Sequence, residues 1–95
     1  MYFDLVEFGE RVRELRIKQK LQQETMAEKI GVSLTHYKHI EYGTRGCSID
    51  ILLLIAEELH VSTDYLLTGI RTEGDEAKER LMRVVEELDQ VIRKI

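Results

Sequence analysis

The sequence predicts an all-α chain. Three observations carry that prediction: no proline interrupts the 95 residues, β-branched residues do not alternate with polar ones, and apolar residues recur at spacings of three and four. Small polar residues precede the apolar runs and glycines follow them, in the places where helix caps belong.

The first helix opens at Asp4, which stands three residues before Glu7 in the manner of a capping box, and runs to about Lys20. Leu5, Phe8, Val12 and Leu15 form its apolar stripe, while Arg11, Arg13, Lys18 and Lys20 lie mostly elsewhere. A second helix covers roughly Gln23 to Ile30. Gly31 can take the left-handed conformation that ends it, and Ser33 can cap a third helix that stops at Gly43. "TRGCS" is a loop. Ser48 caps a fourth helix, "IDILLLIAEEL", whose near-continuous apolar run is expected to be central core, and Ser62 caps a short fifth, "TDYLL", closed by Gly69. Residues 70–76 read as a linker and 77–95 as a C-terminal amphipathic helix. The expected organisation is a five-helix bundle over 1–69 with one helix appended.

Composition and charge narrow the function. Hydrophobic residues make up 43% of the chain and charged residues 34%, the balance of a folded globular domain. The longest apolar run, Ile51 to Ala56, falls far short of the roughly 18 residues that span a bilayer, so no membrane partner is expected. "MYFDLVEFGE" lacks the basic segment of a signal peptide, and Cys47 has no partner for a disulfide; both suit a cytoplasmic protein. Cys47 reads as an inert loop thiol or, alternatively, a redox sensor. No metal-ligand set, nucleophile constellation or phosphate loop stands in the sequence, so neither an enzyme nor a cofactor is expected. The net charge of -4 disfavours a polyanion, yet residues 9–45 hold eight Lys/Arg against five Asp/Glu. At a contact the local field matters more than the global sum.

That basic segment contains "QETMAEKIGVSLTHYKHIEYG", two short helices around one glycine. A helix-turn-helix needs a small residue where its helices touch, a turn residue tolerant of positive φ, and apolar residues facing inward. Ala27, Gly31 and the set Met26, Ile30, Val32, Tyr37 and Ile40 supply them. Residues 9–69 resemble the phage-repressor/Cro (XRE) type of helix-turn-helix regulator, through "GERVRELRIKQKLQQETMAEKIGVS", "IEYGTR" and "LLLIAEELHVSTDYLLTG". The resemblance implies a compact repressor-like bundle that binds double-stranded DNA as a homodimer and regulates transcription as a repressor. Gln22, Tyr37 and Cys47 depart from the family's usual cap, its frequent Ile or Val, and its common proline.

On the third helix Tyr37 and Ile40 define the inner face, which turns Thr35, His39 and Tyr42 outward. Thr35 and His39 match positions from which family members read base edges; Leu34 matches another, or packs on the domain's edge. Gln23 matches a position that clamps a DNA phosphate, and a helix N-terminus suits an anion in any case. Lys38, Tyr42, Thr44 and Arg45 are further candidates for the phosphate backbone. His36 is either structural or phosphate-facing. The family pairs an arginine at the position of Arg16 with an acid at that of Glu41, so these two are expected to form a structural ion pair. On the last helix Leu81, Val84, Leu88, Val91 and Ile95, widened by Val85 and Ile92, make an apolar stripe that water does not tolerate; folding back on its own domain would cover it, or pairing with a second copy, which the two-fold symmetry of a palindromic DNA site favours. The rival to a DNA-binding regulator is a protein-interaction module, antitoxin-like or a regulator's partner, whose helix-turn-helix no longer engages DNA.

Overall fold

The computed structural model describes residues 3–94 and contains six helices: α1 (Leu5–Lys18), α2 (Gln23–Ile30), α3 (Leu34–Tyr42), α4 (Ile49–Leu59), α5 (Thr63–Thr68) and α6 (Glu73–Lys94). Ser33, Ser48 and Ser62 cap as expected, each accepting the backbone N–H three residues on, from His36, Ile51 and Tyr65. Asp4 accepts from Val6 and Glu7. Gln22 makes no side-chain cap bond. Helix α1 stops at Lys18 rather than Lys20, because Lys20 takes a left-handed φ of 59° and turns the chain into α2.

The core joins Phe8 and Val12 of α1, Met26, Ala27 and Ile30 of α2, Tyr37 and Ile40 of α3, Ile55, Ala56 and Leu59 of α4, and Leu66 of α5. Gly9 lets α1 cross α3 closely: a Cβ there would lie 2.5 Å from the carbonyl oxygens of Ile40 and Glu41. The expectation for α4 needs correction. Its run is not wholly core, since Ile49 is 76% and Leu53 53% exposed. A helix at the edge of a small bundle buries one side only, whatever its composition.

The expected linker also needs correction. Helix α6 begins at Glu73, inside residues 70–76, and its first turn is tied to the bundle. Thr72 Oγ1 accepts from the Asp75 backbone N–H at 3.1 Å, and the Asp75 carboxylate accepts from the Thr72 N–H at 2.8 Å, a reciprocal cap. The same carboxylate accepts from Ser62 N at 2.6 Å and Ser62 Oγ at 2.7 Å, which joins the starts of α5 and α6. Burial works against its charge, but these donors hold the Asp75 carboxyl at about 2. Glu79 then pairs with Lys18 at 3.1 Å, with Arg71, and with Arg83 at 3.5 Å. The hydrogen bonds from Lys18 and Arg71 hold its carboxyl below the usual range. Asp89 and Arg93 also pair, at 2.9 Å. From Arg83 to Lys94 every residue is exposed. Among the described residues no helix is long and apolar enough to cross a membrane.

Candidate nucleic-acid interface

Helices α2 and α3 meet around Gly31, whose φ of 73° closes α2 in the left-handed conformation. Val32 N–H returns to the Ala27 carbonyl at 3.0 Å, so the turn is fixed by backbone alone. Tyr37 and Ile40 are buried, as their spacing requires, and α3 therefore shows its other side. Thr35 and Tyr42 are exposed there, with Leu34, His36, Lys38 and His39 half-buried around them.

Glu41 sets the orientation of α3. Arg16 Nε donates to its Oε2 at 2.6 Å and Nη2 to its Oε1 at 3.1 Å, while Arg16 Nη1 bonds the Leu21 carbonyl at 2.9 Å. The Tyr37 hydroxyl also donates to Oε2, and Gln23 Nε2 to Oε1 at 3.1 Å. One carboxylate thus gathers α1, α2 and α3. Burial opposes its ionisation, but the bonds from Arg16, Tyr37 and Gln23 outweigh it and lower its pKa. Burial, then the bond to Glu41, pushes the Tyr37 phenol upward. Burial likewise raises the Cys47 thiol, which disfavours the reactive thiolate.

The loop after α3 shapes the rest of the surface. His39 Nδ1 lies 2.6 Å from Thr44 Oγ1, and His36 Nε2 lies 3.4 Å from the Gly46 carbonyl. Arg45 is exposed beside them. The structure thus ties the α2 N-terminus to α3 through Gln23 and Glu41, and the loop after α3 back to it through His36 and His39. Gln23 stands apart from its expectation in one respect, since part of its amide is already engaged by Glu41. Sequence reasoning missed the Tyr37 hydroxyl and the His39–Thr44 contact; the first was signalled by Tyr37 and Glu41 standing one helical turn apart.

The family described as helix-turn-helix matches residues 12–66. The chain belongs to the XRE-type helix-turn-helix family. This helix-turn-helix chain is 39% identical over 77 residues to a Bacillus subtilis (strain 168) protein named as an uncharacterised HTH-type transcriptional regulator, YqaE, a match covering 78% of the chain and 66% of that relative. The P22 c2 repressor in complex with a synthetic operator is similar in structure, with a TM-score of 0.64, 33% identity, and 66% of this chain and 96% of that one covered. A chain of the SinR/SinI complex aligns with a TM-score of 0.62 and 26% identity over 92% of this chain and 97% of its own length. The family is one of transcriptional regulators and not a class of enzymes.

Proposed function

We propose that this chain is a sequence-specific, double-stranded DNA-binding transcriptional regulator of the repressor type, acting in the cytoplasm as a homodimer. The observation that carries this is the outer side of α3, polar and accessible while Glu41 locks its inner side to α1 and α2. With α3 in the major groove, Leu34, Thr35 and His39 face base edges, and Gln23, His36, Lys38, Tyr42, Thr44 and Arg45 face the phosphates. The operator-bound c2 repressor supports this placement by likeness of fold. The exposed side chains Leu81, Val84, Val85, Leu88, Val91 and Ile92 of α6 support self-pairing; Ile95 lies outside the described residues. The test is selection from random duplex DNA, then affinity against salt. A selected half-site with a log-linear salt slope supports the proposal; retention independent of sequence and salt overturns it.

A second reading is favoured by the same α6 face and by the likeness to the SinR/SinI complex: a module that pairs with another regulator through α6. Loss of operator binding on addition of a partner that pairs with α6 would favour it.

A further inference from the structure

The contact between His39 and Thr44 bears on which nitrogen of the imidazole carries the proton. Thr44 Oγ1 lies 2.6 Å from His39 Nδ1 and 3.3 Å from the His39 carbonyl oxygen. A hydroxyl has one proton. If it goes to the carbonyl, Oγ1 accepts from Nδ1–H and both contacts are hydrogen bonds. If it goes to Nδ1, the hydroxyl no longer bonds the His39 carbonyl, which keeps the Thr44 backbone N–H at 3.0 Å, and one hydrogen bond fewer is made. The first arrangement leaves Nε2 of the neutral ring without a proton, as an acceptor.

We propose that Thr44 holds His39 in the Nδ1–H tautomer, so that Nε2 selects a base presenting an exocyclic amino group in the major groove. This deepens the proposed function and rests on it. Adenine N6 and cytosine N4 are such donors, whereas guanine O6 and thymine O4 are acceptors. At the base that His39 faces, the chain therefore prefers adenine or cytosine over guanine or thymine. Around His39 the basic side chains of α3 and the following loop are His36, Lys38 and Arg45; Glu41 is turned inward onto Arg16, and among the described residues no carboxylate of α1 or α2 bonds the ring.

The test uses the full chain at pH 8. A two-bond proton–nitrogen spectrum reads the tautomer of the free protein, and selection from random duplexes reads the base. The expected results are a bare Nε2 and an amino-over-keto preference of roughly 5- to 150-fold at one position. Thr44→Val should move the proton to Nε2 and collapse that ratio; loss of a phosphate contact alone would weaken all sequences alike and leave the ratio unchanged. An Nε2–H tautomer in the wild type, or a keto preference with sequence-specific binding intact, overturns this inference alone. Absence of any sequence preference overturns the functional reading and this inference with it, while the nitrogen spectrum still reports whether Thr44 sets the tautomer.

Discussion

Arg16 and Glu41 meet through two hydrogen bonds, Nε to Oε2 at 2.6 Å and Nη2 to Oε1 at 3.1 Å, with the Glu41 side chain wholly buried. Removing either partner strands the other away from water. Glu41→Ala and Arg16→Ala are each expected to destabilise the fold by about 3–5 kcal/mol, and the double variant by less than their sum. Strict additivity in denaturant melts would show that the two are not coupled.

The same carboxylate gives a pH dependence of known sign. Its folded pKa is lowered, so its contribution is present above its unfolded value and is lost as pH falls through the folded one. Glu41→Gln should flatten acid destabilisation relative to wild type; parallel pH–stability curves would contradict this.

Asp75 behaves likewise at its own site. With an ordinary value of 3.8 and a folded value of about 2, it stabilises above pH 3.8 and loses that contribution between the two. Asp75→Asn should cost about 1–3 kcal/mol and raise hydrogen exchange through the first turns of α6. Unchanged exchange there would mean that the carboxylate does not pin α6.

Thr35→Ala with His39→Ala removes two outward side chains. Sequence preference should fall by about 1–3 kcal/mol for each lost base contact while the melting temperature changes little. A double variant that selects the same operator would remove both residues from base readout.

Val84→Lys with Leu88→Lys places charges on the exposed face of α6. Sedimentation should give a monomer with a melting curve near that of wild type, and operator affinity should fall by about 100-fold or more as avidity is lost. A wild-type chain that is monomeric at high micromolar concentration would end the dimer proposal.

Legibility in the sequence followed the range of the interaction. Caps and turns act within one helical turn, so Ser33, Ser48, Ser62 and Gly31 announced α3, α4, α5 and the α2–α3 turn correctly. The Thr72–Asp75 cap was equally local, and "TEGD" carries its signal, but the glycine and acids around it suggested a linker. Periodicity placed Tyr37 and Ile40 inward and so Thr35 outward, because 100° per residue holds within a single helix.

Only the tertiary structure decided which side of α4 is buried, that Ser62 and Asp75 join α5 to α6, and that Gln23 reaches Glu41. Each of these depends on where separate helices cross, and crossing is set by side-chain shape over the whole core and not by any local run of residues. The sequence by itself determined the helices and the outward face of α3; the packing of α1 against α3 at Gly9 determined what the opposite face is fastened to.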